Sequence, residues 1–383
     1  MRLGIISDCL HFETPTGEVA TENHILLKQF EALATHFESV IICCPFISFN
    51  ERLTYSIYQS SKISFIKVKN VGGNNVLDKV RIIANIPSWI NAFKKVNASS
   101  DIVYQRFPNN INIPGLLYFY AIKKPVFATY TGSWDSKNEP FTYRLQKKWL
   151  KKYFRGPVWV YSKKIQSGKF RNGISPSYNS SVWEEEDLQV KARIKSIEQN
   201  GISCLKLVSV GSLVTNKNHK YILDACKLAK QKGITFQLII VGDGPLKRHY
   251  LNFIAENGLE QDVHFVGKKD HAELRNIYRK SDFILQSPIK EGFGKVPIEG
   301  FFHGLTPIIS NTEMASYITQ NQEQGFVFNT DDDPSVVVNI FSKILDNPAA
   351  VITMINMGRS FAKAHTLESW AFEYYKGIEE YFG

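Results

Sequence analysis

Short runs of β-branched and other apolar residues recur along the chain, and longer amphipathic stretches lie between most of them. In the first half the runs are LGIIS from Leu3, SVIICC from Ser39, ISFIKV from Ile63, DIVYQR from Asp101, PVFATYT from Pro125 and PVWVYS from Pro157. In the second half they are LKLVSVG from Leu205, TFQLIIVG from Thr235, VHFVG from Val263, DFILQS from Asp282, TPIIS from Thr306 and GFVFN from Gly325. Near-continuous apolar strands alternating with helical patterns predict parallel sheets covered on both faces. The rhythm breaks between Arg171 and Asn200, where a Gly, a Pro, a Ser/Asn run and an acidic triplet interrupt it. The pattern predicts an α/β protein of two doubly wound domains, 1–175 and 201–366, with a linker over 176–200. A last helix over 367–383 carries Trp370, Phe372, Tyr375 and Ile378 as a rough apolar stripe.

A length of 383 residues agrees with two cores rather than one. No run reaches the roughly 18 apolar residues that a membrane-spanning helix requires. The opening MRLGIIS enters a strand pattern at once, without a basic leader or cleavage site, so a cytoplasmic location is expected. Five cysteines (Cys9, Cys43, Cys44, Cys204 and Cys226) lack CxxC spacing and read as free thiols.

Charge adds an asymmetry. Of 46 Lys+Arg and 36 Asp+Glu, residues 1–175 hold 24 and 11, a net of +13 within a total of +10. Lys147, Lys148, Lys151, Lys152 and Arg155 concentrate it in YRLQKKWLKKYFRGPVW, where Tyr143, Trp149, Leu150, Tyr153 and Phe154 supply apolar bulk. A basic amphipathic helix over 143–155 fits a solvated face nearly as well as an anionic membrane surface, and peripheral contact with the inner face of the membrane is the expectation. A nucleic-acid partner is not expected, because the aromatic residues form no known binding module.

In doubly wound folds ligands bind beyond the carboxyl ends of the strands, so four loops draw interest. PTGEVATENH follows the first strand, with Gly17 ahead of a helix expected from Thr21; it is either an anion-binding turn or a plain one. VGSLVTNKNHK places Lys217 between a strand and a helix, as a phosphate ligand or a solvated lysine. VGDGPLKRHY sets Gly242 and Gly244 in a turn that either faces the ligand, as donor-binding residues, or simply connects strand and helix, with Asp243 as cap and Pro245 as first helical residue. KEGFGKVPIEGFFHG puts Glu291 in a loop and Glu299 in the second turn of the following helix, which Gly304 ends. Two carboxylates so spaced suit a ligand with hydroxyls at each end and an anion between, the layout of a nucleoside diphosphate sugar.

EGFGKVPIE resembles the Glu-x7-Glu signature of the retaining GT-B glycosyltransferases of family four, also described as glycosyl transferases group 1. VGSLVTNKNHKYILDA, LIIVGDGP, VHFVGKK and SPIKEGFGKVPIEGFFHGLTPIISN occur in that family's order over about 150 residues. The resemblance implies two Rossmann-like domains with the donor in a cleft between them and a C-terminal helix crossing back to the first. It implies that Glu291 contacts the donor hexose and that Gly292, Phe293, Gly294, Lys295 and Val296 meet the sugar and phosphates through their backbone. By the same resemblance Glu299 holds the ribose, Lys217 the diphosphate, and Gly267 with Lys268 the base, while Gly17 faces the phosphates. Three positions depart from the family pattern. Ser212 replaces an arginine, Glu18 a glycine, and Thr131-Gly132 stands where His-Gly is usual, so Arg106, Thr131 and Gly132 are the acceptor-side candidates.

The implied reaction is retaining transfer of a hexose from a UDP- or GDP-sugar to a glycan or lipid-linked hydroxyl, without a cofactor or metal. Lys217 would stabilise the departing diphosphate and Glu291 would orient the sugar. DDDP from Asp331 reads as a helix cap, and His24, His249, His264 and His303 lack metal-ligand spacing. A nucleotide-sugar epimerase on the same fold, or a donor-binding protein without activity, are the rival readings.

Overall fold

A computed structural model of the chain describes residues 1–51, 55–71, 76–132, 134–135, 140–162 and 168–383. Two compact units result: Met1–Ile174 together with Leu367–Gly383, and Ser175–Thr366. The first contains strands β1 (Leu3–Ile6), β2 (Phe12–Glu13), β3 (Val19–Thr21), β4 (Val40–Phe46), β5 (Ser56–Ile57), β6 (Ile63–Lys69), β7 (Ile102–Phe107), β8 (Val126–Tyr130), β9 (Val158–Val160) and β10 (Phe170–Asn172). Its main sheet runs β10-β9-β8-β7-β1-β4-β6, parallel throughout. The chain runs from β1 outward to β4 and β6 on one side and then returns to place β7 on the other side of β1. That reversal makes the carboxyl ends of β1 and β7 the natural crevice of this unit.

Both faces of this sheet are covered. Ile6, Cys43, Val103, Ala128 and Val158 pack with Trp89, Phe93 and Val96 of helix Val76–Ser99 and with Leu116 and Phe119 of helix Asn112–Ala121. Leu3, Ile5, Ile42, Tyr104, Phe127 and Trp159 pack with helix His24–Ala34 and with the terminal helix Leu367–Phe382. The terminal helix therefore belongs to the first unit. Its buried stripe is Leu367, Trp370, Ala371, Tyr374 and Ile378, whereas Phe372 is 52% exposed. The expected stripe was off by two positions there: Tyr374 stacks on Trp159 at 4.2 Å, and its hydroxyl meets Thr129 Oγ1 at 2.9 Å. Tyr375 instead stacks on His36 at 5.3 Å.

The segment after β1 differs from the expected strand, glycine loop and helix. β2 and β3 form a hairpin that pairs with β5 in a small antiparallel sheet. Thr21 ends β3, and the helix starts at His24, where Asn23 Oδ1 accepts from the Leu26 N–H at 3.0 Å.

The second unit holds β11 (Leu205–Val210), β12 (Phe236–Val241), β13 (Val263–Gly267), β14 (Phe283–Gln286), β15 (Thr306–Ser310) and β16 (Phe326–Phe328). They form a parallel sheet in the order β13-β12-β11-β14-β15-β16, the Rossmann order, whose reversal falls between β11 and β14. Residues 176–200 are not an irregular linker. They form helices Ser180–Glu185 and Asp187–Asn200 of the second unit, with Val190 and Ile197 buried in its core. Trp183 lies under the Arg359 guanidinium at 4.1 Å, and its indole N–H donates to Arg359 O at 2.9 Å. So few of these residues are buried that a hydrophobic pattern hardly registers.

Among the described residues no single helix is long and apolar enough to cross a membrane. All five cysteines are free.

Candidate active site

The loop after β11 and the loop after β14 leave neighbouring strands on the two sides of the reversal. Hydrogen bonds stitch them together: Ile289 N–H donates to Asn216 O at 2.8 Å, Asn216 Nδ2 to Lys290 O at 2.9 Å, and Ser287 Oγ to Asn218 O at 2.7 Å. Thr215–Lys217 is a single 3-10 turn, ended by Asn218 in the left-handed region at φ 50°. Asparagine tolerates that conformation better than most residues, and the helix His219–Gln231 starts directly after it.

These constraints aim Lys217 across the loops. Its stem passes over Gly211, and its ammonium is ion-paired with Glu291 Oε2, both side chains retaining about a quarter of their exposure. Two residues 74 positions apart in sequence thus meet at the carboxyl ends of β11 and β14. Just beyond, burial pushes His219 down to about 4, and the charge of Lys217 adds to the effect.

Gly294 precedes helix Lys295–Phe302 with φ 83°, a conformation that a side chain would strain, and a Cβ there would stand 3.7 Å from Glu291 Cγ. The first-turn N–H groups of a helix have no intrahelical acceptor, and Pro297 has none to offer, so Gly294, Lys295 and Val296 supply the donors at this end. Phe293 is buried beside Tyr317 and His365. Its ring anchors the loop, which leaves only its backbone for a ligand.

Glu299 is 7% exposed, and Tyr278 Oη donates to its Oε2 at 2.8 Å. Tyr278 lies on helix His271–Lys280, which opens with a capping box between Asp270 and Glu273. Behind it His303 packs at 5.2 Å between ring centroids, with Nδ1 3.2 Å from Glu186 Oε2. Glu186 is fully buried and also bonded by Arg275 and Arg279. Burial alone would raise its carboxyl, but the close approach of His303 and the hydrogen bonds from Arg279 and Arg275 outweigh this and hold it well below the ordinary range.

Other expected donor residues are placed differently. Gly242 and Gly244 lie where two loops touch: a Cβ on Gly242 would fall 2.0 Å from Gly211 O, and one on Gly244 2.6 Å from Leu213 O. Their smallness serves loop packing. Asp243 accepts from the Gly244 N–H at 2.8 Å, and the next helix begins at Lys247, two residues past Pro245. Ser212 and Lys268 are exposed, and Gly267 ends β13 with φ 73°. Asp333 caps helix Ser335–Asp346 by accepting from the Ser335 N–H at 2.8 Å. Among the described residues no group of three or more His, Cys, Asp or Glu could hold a metal ion.

In the first unit Gly17 sits in the β2–β3 turn, not at a helix start, and the Glu18 carboxylate is tied to Thr16 Oγ1 at 2.8 Å. Arg106, near the carboxyl end of β7, donates to Tyr104 Oη at 3.3 Å and Gln29 Oε1 at 3.4 Å. Thr131 follows β8 and bonds Phe107 O through both its N–H and its hydroxyl, and Gly132 lies against the Tyr130 ring. Two residues escaped the sequence reading. Asp8 follows β1 at the crevice, its carboxyl pushed up mainly by burial and pulled down by its own backbone and Arg106. An ionisable residue directly after the first apolar strand is the signal that could have found it. Tyr278 has no local signal, because its partner is 21 residues away.

Residues 193–361 match the family described as glycosyl transferases group 1. Over 171 residues the chain is 25% identical to an uncharacterized glycosyltransferase of Methanocaldococcus jannaschii, covering 45% of this chain and 47% of that protein. Over 162 residues it is 24% identical to the amylovoran biosynthesis glycosyltransferase AmsK of Erwinia amylovora, covering 41% and 40%. The matched stretch spans about half or less of the length of these two curated relatives. A solved structure of Anabaena Alr3699/HepE, in complex with UDP and glucose, is similar in fold, with a TM-score of 0.68, 14% identity and 99% of each chain covered. The blocks from VGSL to EGFGKVPIE fall inside the matched stretch, and residues 193–361 form a glycosyl transferases group 1 domain in a chain of GT-B fold.

Proposed function

We propose that the protein is a retaining, metal-independent glycosyltransferase. It moves a hexose from a UDP- or GDP-sugar to a hydroxyl of a glycan or lipid-linked acceptor in cell-surface polysaccharide or glycolipid synthesis. The observation that carries this reading is the meeting of Lys217 and Glu291 at the strand-order reversal, with Glu299 on the helix that follows. In the reaction the anomeric carbon–phosphate oxygen bond breaks while the acceptor oxygen bonds the same face. The departing phosphate oxygen takes the acceptor's proton. Lys217 and the N–H groups of Gly294, Lys295 and Val296 stabilise the charge that builds on the diphosphate. Glu291 orients the sugar hydroxyls and stabilises the cationic ring, and Glu299 accepts from the ribose.

The acceptor side is assigned to the first unit, through Arg106, Thr131 and Gly132. Its helix Phe141–Lys152 supports an anionic membrane surface as partner. Phe141 is 71% and Leu145 45% exposed, with Arg144, Lys148 and Lys152 exposed beside them and no acidic residue in the helix. Lys147 is not part of that face: it is buried, donating to Trp134 O at 3.1 Å.

The test is nucleotide release from a panel of UDP-, GDP- and ADP-sugars, with and without membrane extract. Release that depends on extract supports transfer. Epimerised donor without release would replace it with an epimerase, and binding without turnover with a donor-binding protein.

A further inference from the structure

We propose that Tyr278 is a positioning residue for the nucleotide: its phenol fixes the Glu299 carboxylate so that the other oxygen is presented to the ribose hydroxyls. The inference rests on the assignment of Glu299 to the ribose.

Tyr278 is fully buried, and its hydroxyl donates to Glu299 Oε2 at 2.8 Å. Burial and the neighbouring Glu299 charge push the phenol well above its ordinary value, so it stays protonated and the direction of the bond is fixed. A carboxylate on a short helix, with three rotatable side-chain bonds, would otherwise sample several orientations. A single buried donor removes that freedom before the ligand arrives, which is the condition for selective recognition.

The tyrosine is itself held. Its ring lies against His303, His303 lies against the buried Glu186, and Arg275 and Arg279 from the same helix as Tyr278 close around Glu186. Tyr178 stands edge-on to His303 at 5.6 Å. Arg193 fastens the end of that helix by donating to Tyr278 O, Arg279 O and Ser281 O. The layer behind Glu299 is therefore rigid on the side that faces away from a ligand.

Tyr278→Phe deletes one oxygen and keeps the ring, so the fold should survive, as an unfolding midpoint would verify. Affinities for UDP, GDP and ADP and for their 2′-deoxy forms are measured by calorimetry on wild type, Tyr278→Phe, Glu299→Ala and the double variant. The expected result is a five- to thirty-fold loss for the tightest ribonucleotide in Tyr278→Phe, a smaller ribo-to-deoxy ratio, and no further loss when Tyr278→Phe is added to Glu299→Ala. The ratio is independent of the fraction of protein that is folded. An unchanged affinity and ratio in Tyr278→Phe, beside a clear loss in Glu299→Ala, overturns the role of Tyr278 and leaves the ribose assignment standing. An equal loss in the Glu299→Ala background overturns it too, because the tyrosine would then act elsewhere. Unchanged affinity in Glu299→Ala removes the ribose assignment itself.

Discussion

At the scale of single residues, the Lys217–Glu291 pair makes a prediction whose sign is not obvious from sequence. On the proposed reading Lys217 serves a diphosphate, and it is paired with a carboxylate, so the ligand must compete for it. Replacing Glu291 by Gln removes the competitor, and a pair exposed by about a quarter is worth roughly 1 kcal/mol. The expected outcome is nucleoside diphosphate binding about fivefold tighter with sugar transfer reduced at least a hundredfold. Calorimetry beside a turnover assay checks both, and weaker binding would mean the pair does not compete. Histidines give a second test. Burial pushes His11, His219 and His365 down to about 4 from 6.5. A folded value below the unfolded one means stability that is complete above pH 6.5 and lost as the pH falls toward 4. Each is worth on the order of 3 kcal/mol at most, so the unfolding midpoint should drop between pH 7.5 and 5. A flat profile would contradict the burial of these rings.

Elements show which parts of the sequence were readable. The twelve apolar runs appear as strands because both faces of each sheet are covered, which makes the runs continuous. The hairpin over residues 12–21 was not readable, since strands of two or three residues leave no period. Helix Asp187–Asn200 was hidden for the opposite reason, with only Val190 and Ile197 buried along its length. At the site, Glu291 and Glu299 could be placed by local spacing, whereas the contact between Glu291 and Lys217, 74 positions apart, has no local signal, and the family resemblance gave the two only separate roles at one donor. Gly242 and Gly244, which the sequence sets in a turn expected to face the donor, are also points of contact between two loops. Gly242→Ala should therefore act through Gly211, parting the two loops and displacing the Lys217 stem. A midpoint several degrees lower and nucleotide binding at least tenfold weaker are expected, against unchanged nucleotide binding for Gly233→Ala, where φ of 72° strains a side chain but a Cβ would meet nothing within 4 Å. Equal effects of the two substitutions in a nucleotide-binding assay would refute the loop account.

For the whole molecule, the terminal helix is a structural part of the first unit. Leu367, Trp370, Tyr374 and Ile378 are each buried to within 3%. At roughly 1.5–3 kcal/mol per side chain their loss approaches the entire stability of an ordinary domain. A chain ending at Thr366 should lose the cooperative unfolding of the first unit, and a preserved transition in calorimetry would show that the helix only decorates it. The basic charge of the same unit separates two further outcomes. Flotation with vesicles containing anionic lipid should weaken when Phe141 and Leu145 are both changed to Ser, while nucleotide affinity holds. Binding that ignores lipid charge would leave the face merely solvated.

The central claim is that an intact sugar leaves a nucleoside diphosphate and arrives on a hydroxyl with its configuration kept. It is tested most directly by supplying the turned-over donor with ¹³C at the anomeric carbon and following the label by NMR in the presence of membrane extract. The account predicts the label in a new glycosidic linkage with the donor's own anomeric configuration, and none there with Glu291→Ala. Label that remains in an epimerised donor, or arrives with inverted configuration, would contradict it.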